Sequence, residues 1–125
     1  MNLEVIYEDN HLIAVNKPAG LVVQDNEHGL ASLEHHVKSY IKEKYNKPGA
    51  VFLGCIHRLD TNVTGIVLFA RTSKALTRMN DQFKNRLIQK TYAALIRRKP
   101  QPMAGTLEHW LKKDPKQNKT KLYHE

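Results

Sequence analysis

Residues 57–70 read His57-Arg58-Leu59-Asp60-Thr61-Asn62-Val63-Thr64-Gly65-Ile66-Val67-Leu68-Phe69-Ala70, and the change of character at Gly65 decides how the rest of the chain is arranged. Gly65 to Ala70 is an uninterrupted apolar run of strand length, and its unbroken apolarity implies burial on both faces. Val51 to Ile56 reads as a second strand, so the polar residues between the two runs form the connecting loop. Arg and Asp are seldom buried without a partner. Arg58 and Asp60 must therefore face solvent or engage each other. On an extended backbone residues two apart share a side, and a guanidinium close to Asp60 would favour its ionised form and lower its pKa. Taken alone, the segment is a loop carrying an ion pair, and structural ion pairs outnumber catalytic ones.

Toward the N-terminus, Leu3 to Tyr7 and Leu12 to Val15 read as short strands separated by Glu8-Asp9-Asn10. Lys17-Pro18-Ala19-Gly20 breaks the second run, and Leu21-Val22-Val23 resumes an extended segment. Ser32 is placed to cap a helix in which Leu33, Val37, Tyr40, Ile41 and Tyr45 recur at helical spacing, and Asn46-Lys47-Pro48-Gly49 ends it. Beyond the quoted stretch, Ser73 opens a second amphipathic helix with Leu76, Met79 and Phe83 on one face. Ile88 to Ile96 alternates as a strand, with Ile88, Lys90, Tyr92, Ala94 and Ile96 on one side. The basic tail around Pro115 reads as a loop or a loose strand. Strand pairs interrupted by two helices predict an α+β fold with a mixed, mainly antiparallel sheet.

With 125 residues and a mass of 14.4 kDa, the chain has room for one compact domain. No apolar run approaches the roughly 20 residues that cross a bilayer, and Met1-Asn2-Leu3-Glu4 has neither the basic start nor the apolar stretch of a secretory signal. A soluble, cytoplasmic protein without membrane partners is expected. The one cysteine, Cys55, excludes an internal disulfide and a multi-cysteine zinc cage. No histidine spacing suggests a metal site. The net charge is +8, and it is lopsided: residues 1–50 hold five basic and seven acidic side chains, residues 51–125 fifteen against five. Such a field suits a polyanion, RNA or DNA being the commonest. A lysine-rich soluble surface explains it equally well.

The quoted stretch resembles the signature of RluA-type RNA pseudouridine synthases, in which His-Arg-Leu-Asp is followed by a Thr-Ser-Gly-like turn and a buried strand. Here Val63-Thr64-Gly65 stands for that turn. Two further segments follow the family's order: Val15-Asn16-Lys17-Pro18-Ala19-Gly20, and Lys90-Thr91-Tyr92-Ala93-Ala94-Leu95. The resemblance implies the pseudouridine synthase catalytic fold and isomerisation of chosen uridines in rRNA or tRNA, without cofactor or metal. It implies Asp60 as the catalytic aspartate, with Arg58 and Tyr92 beside it, and His57, Thr64, Gly65, Lys17 and Lys90 as substrate or RNA contacts. The target base would have to leave its stack to reach the carboxylate. Tyr92 as a core aromatic and Lys17 as a turn residue are the plain rivals of two of these roles.

Family members have a longer catalytic domain, and nothing in residues 100–125 resembles their C-terminal arginine- and isoleucine-bearing motif. Residues 1–125 are therefore expected to be the N-terminal portion of a single catalytic domain, without an S4-like module before it. The alternatives are a module that binds RNA without turnover and a basic domain with a protein partner. The oligomeric state is left open.

Overall fold

The computed structural model describes residues 1–25 and 31–124, which divide into two units, Met1–Lys90 and Thr91–Glu125.

In the first unit, β1 (Glu4–Glu8), β2 (Leu12–Lys17), β3 (Gly54–Cys55) and β4 (Gly65–Ala70) form a four-stranded sheet in the order β1-β2-β4-β3, every pairing antiparallel. Helices α1 (Leu33–Lys44) and α2 (Ser73–Lys84) complete it, so the unit has the α+β class that the segment order predicts. The β1–β2 turn is held by the carboxylate of Asp9. Its Oδ1 accepts from the N–H groups of His11 and Leu12, both at 2.7 Å, and its Oδ2 accepts from Tyr7 Oη at 2.6 Å. These bonds hold the Asp9 carboxyl down at about 2.

Alternation along β2 and β4 sends Ile13, Val15, Val67 and Phe69 to one face, where they meet Leu33, Val37 and Ile41 of α1. The helix is placed by its cap: Ser32 Oγ accepts from His35 N–H at 3.1 Å and donates to Asp25 Oδ1 at 2.5 Å. Helix α2 is capped by Thr72 and packs through Leu76 over Gly54, where an added Cβ would stand 2.8 Å from the leucine. At the far end of the sheet Glu8 gathers Tyr40, Tyr45, Lys44 and Arg71. Burial alone would raise the Glu8 carboxyl, but hydrogen bonds from Tyr45, Lys44 and Tyr40 bring it below its ordinary value.

Three expectations are corrected here. The apolar run of β4 is not buried on both faces: Ile66 is 58% exposed, because an antiparallel strand under one helix needs only its alternate residues inside. The strand expected over Val51 to Ile56 reduces to Gly54–Cys55; before it, the segment Leu21 to Val23 offers the carbonyls of Val22 and Val23 to the first amides of α1. Ile88 to Ile96 forms no strand. Alternation defines the faces of a segment without supplying the partner whose ladder makes it a strand.

The second unit holds an antiparallel hairpin of β5 (Trp110–Asp114) and β6 (Lys119–Tyr123), where the sequence suggested a loop or loose strand. Asp114 Oδ1 accepts from Lys116 N–H at 2.9 Å and Asn118 takes φ of 50°, so the four residues between the strands form an ordered turn. Trp110 pairs with Tyr123 and Leu111 with Leu122 across the ladder. None of the described residues in this unit is buried.

Candidate active-site loop

Lys17 ends β2 directly opposite Gly65, the first residue of β4. Pro18 has no N–H and stops the ladder, so the chain leaves the sheet there and turns at Gly20, whose φ of +86° suits glycine. The Lys17 side chain stays behind, 0% exposed. Its ammonium donates to the carbonyls of Pro18 at 2.9 Å, Leu21 at 2.8 Å and Thr61 at 2.8 Å. The Gly20 N–H donates to the same Thr61 oxygen at 2.7 Å. Two donors from the β2 end thus converge on the residue that follows Asp60. Burial lowers the Lys17 pKa, and the negative charge of Asp60 opposes that shift.

Pinned at Thr61, the loop closes through a bond from Val63 N–H to Asp60 O at 3.0 Å. Leu59 packs against the core, and Arg58 and Asp60 on either side of it are exposed. Alternation therefore puts both polar side chains outward, as their spacing implies. The expected ion pair is absent: among the described residues, no salt bridge joins Arg58 to Asp60. An exposed pair gains little in water and has side-chain entropy to overcome. The nearby cation that acts on this carboxylate's surroundings is instead Lys17, which sequence reasoning assigned to RNA. With its ammonium enclosed and all three protons directed at carbonyls, Lys17 has no donor free for a phosphate. It is a turn residue after all, and a consequential one.

His57 is half-buried between two partners. Its Nε2 accepts the backbone N–H of Leu68 at 3.0 Å, and its ring stacks on Phe83 of α2 with centroids 5.2 Å apart and planes 23° from parallel. The ammonium of Lys90 stands 5.2 Å from the Phe83 centroid. Burial pushes the His57 pKa down, and Lys90 adds to the shift. Thr64 is exposed, and Gly65 enters β4 with φ of +141°, a conformation that favours glycine. Cys55 is half-buried with its thiol against the His57 carbonyl, and burial raises its pKa.

One loop thus brings together His57, Arg58, Asp60, Thr64 and Gly65, backed by Lys17, with Lys90 reaching the same side of the unit through Phe83. Tyr92 lies in the second unit and is 65% exposed. Sequence reasoning missed Phe83 as the ring beneath His57, although it marked the residue as apolar. It also missed the Thr61 carbonyl as an anchor, because no side chain there signals it. Among the described residues no three His, Cys, Asp or Glu side chains cluster as metal ligands do, and no helix is long and apolar enough to cross a membrane.

Comparison with known proteins identifies relatives of the chain. A family model described as RNA pseudouridylate synthase matches residues 11–125. A tRNA pseudouridine synthase C of Pasteurella multocida is 36% identical over 97 residues, which cover 78% of this chain and 38% of that protein. A ribosomal large subunit pseudouridine synthase C of Rickettsia bellii is 40% identical over 96 residues, 77% of this chain and 30% of that protein. The chain thus spans about a third of the length of these curated relatives. Among solved structures, human RNA Pseudouridylate Synthase Domain Containing 4 superposes with a TM-score of 0.57 at 24% identity, over 67% of this chain and 30% of that one, a likeness of fold.

Proposed function

Because the chain belongs to the RluA-type RNA pseudouridylate synthase family, we propose that it forms the N-terminal part of a catalytic domain that isomerises particular uridines of rRNA or tRNA to pseudouridine. The observation that carries this reading is Asp60: an exposed carboxylate on a loop whose backbone is anchored at the very next residue by two donors.

The reaction breaks the bond between N1 of uracil and C1′ of ribose, turns the base, joins C5 to C1′, and releases the C5 proton to solvent while N1 takes one up. That sequence calls for a fixed carboxylate acting as nucleophile or as base toward the sugar. Asp60 takes this role in the reading, and the Thr61 anchor supports it because an oriented group loses little freedom on meeting its target. Arg58, exposed beside it, is suited to a phosphate or to the gap left by an everted base. Tyr92 is proposed to lie against the base, and Lys90, Thr64 and Gly65 to contact RNA. The charge of residues 51–125 supports an RNA partner held through phosphates.

Tritium release from RNA labelled at uridine C5, measured in the full-length polypeptide, tests the reading. Asp60→Asn is expected to abolish release while leaving salt-dependent RNA binding intact. Equal and measurable release from both proteins refutes the assignment of Asp60. A second reading, an RNA-binding module without turnover, is supported by the same basic charge of residues 51–125. It predicts binding that survives Asp60→Asn and no pseudouridine from either protein.

A further inference from the structure

The last β3–β4 pair is Cys55 with Phe69. One residue further along β4, the Leu68 amide would need a carbonyl from a continuing β3, but the chain is already leaving the sheet toward Asp60. The His57 ring fills that position, with Nε2 3.0 Å from Leu68 N. A backbone amide that loses its acceptor in a half-buried setting is costly, so this contact ties the start of the loop to β4.

We propose that His57 is a positioning residue whose ring serves as the final rung of the β3–β4 ladder, and that it holds the Asp60 loop only while the imidazole is neutral. The contact fixes the tautomer: Nε2 accepts, so the proton sits on Nδ1. Protonation puts a hydrogen on Nε2, turns the acceptor into a donor facing another donor, and breaks the rung. Among the described residues the groups that bear on the ring all favour the neutral form or are neutral themselves. Phe83 of α2 covers one side, Lys90 beyond α2 repels the imidazolium, the Leu68 amide of β4 is neutral, and the Cys55 thiol donates to the His57 carbonyl at 3.4 Å. The lowered pKa of His57 agrees with this arrangement. Its linkage has one sign. With the folded-state value below the ordinary 6.5, the contribution is complete above 6.5 and is lost as pH falls through the lower folded value. As a statement about the ladder this stands by itself; as a statement about catalysis it rests on the pseudouridine synthase reading.

The test is a pH titration of the 15N-labelled chain by NMR. The imidazole spectrum is expected to show the Nδ1–H tautomer at pH 7.5. The protection factor of the Leu68 amide is expected to fall about tenfold with the same midpoint as the His57 ring, while that of Val15 in the sheet centre stays level. His57→Gln keeps an acceptor near the Nε2 position without a titrating group, so its Leu68 protection is expected to be independent of pH over this range. A Leu68 amide that stays protected through the His57 titration, or a ring carrying its proton on Nε2, overturns the proposal, and neither result depends on a variant folding. In the full-length enzyme, the wild type is expected to lose turnover on the acid side at the His57 midpoint, and His57→Gln to lack that limb. An acid limb retained in His57→Gln overturns the catalytic half. Absence of turnover in every variant counts against the synthase reading, while the amide titration still decides the rung.

Discussion

Replacing Lys17 by Met keeps the aliphatic stem and the volume of the side chain but removes the ammonium. Three carbonyls, those of Pro18, Leu21 and Thr61, lose a charged donor at 2.8–2.9 Å. Hydrogen bonds to charged groups contribute about 1.5–3 kcal/mol each, so the gross loss is on the order of 5–9 kcal/mol. Against it stands the desolvation of a fully enclosed cation, several kcal/mol in a folded protein, which the variant no longer bears. The Thr61 oxygen also keeps its bond from Gly20. A net destabilisation of about 2–4 kcal/mol remains, which for a unit of this size lowers Tm by roughly 10–25 °C. Urea unfolding followed by far-UV circular dichroism gives the free energy, and amide exchange at Thr61 and Val63 reports whether the loop loosens before the sheet does. Lys17→Arg is expected to rescue little, because a planar guanidinium does not fit a site shaped to a compact ammonium. A Lys17→Met protein within about 1 kcal/mol of the wild type, with unchanged exchange in the loop, would refute the claim that this lysine anchors Asp60.

Asp60→Asn is expected to change unfolding free energy by no more than about 0.5 kcal/mol, as befits an exposed side chain, so that any lost turnover cannot be ascribed to misfolding; urea titration checks it. Gly65→Ala is expected to cost about 1–3 kcal/mol through its φ of +141°, since the added Cβ finds only Leu59 Cδ1 at 3.6 Å; thermal melting measures it. Asp9→Asn is expected to destabilise the β1–β2 turn at neutral pH and to match the wild type at very low pH. The folded Asp9 value of about 2 lies below the ordinary 3.8, so its contribution is complete above 3.8 and is lost as pH falls toward 2; paired melts across that range show the convergence.

Periodicity and caps carried most of the first unit. Leu33, Val37 and Ile41 recur every four residues behind Ser32, and that local pattern suffices to place α1 and to say which face it buries. The same local logic marked β2, β4 and α2. It failed where the outcome depends on a distant partner. Nothing in Lys17-Pro18 says that a carbonyl 44 residues away will take up the ammonium. Nothing in His57 says that its ring will meet the amide of Leu68. The Arg58–Asp60 pair failed for the opposite reason: proximity along the chain suggested an interaction that solvent makes nearly worthless. In the tail the signal was present but outvoted. Trp110-Leu111 and Leu122-Tyr123 flank Asp114-Pro115-Lys116-Gln117-Asn118, the apolar–turn–apolar pattern of a hairpin, and the intervening lysines made it look like a loop.

Lys17 and His57 solve one physical problem from opposite sides, and together they suggest why two remote segments belong with Asp60. A loop that must expose a carboxylate cannot bury that side chain, so its backbone has to be held by something other than packing around the functional group. At its start, the His57 ring supplies an acceptor to β4 where the ladder runs out. Just past Asp60, Lys17 and Gly20 supply donors to Thr61 where no strand is available. Between them Leu59 anchors the turn in the core. Each contact lets a side chain or a turn stand in for a missing strand, which leaves Arg58 and Asp60 free to face outward on a backbone that is fixed at both ends. For a carboxylate proposed to meet an everted nucleotide, such pre-positioning is worth more than any bond made to the carboxylate itself, because a bond there would have to be broken before reaction. The Asp60 carboxylate is thus held through the backbone of its neighbours and left exposed, as the proposed role requires.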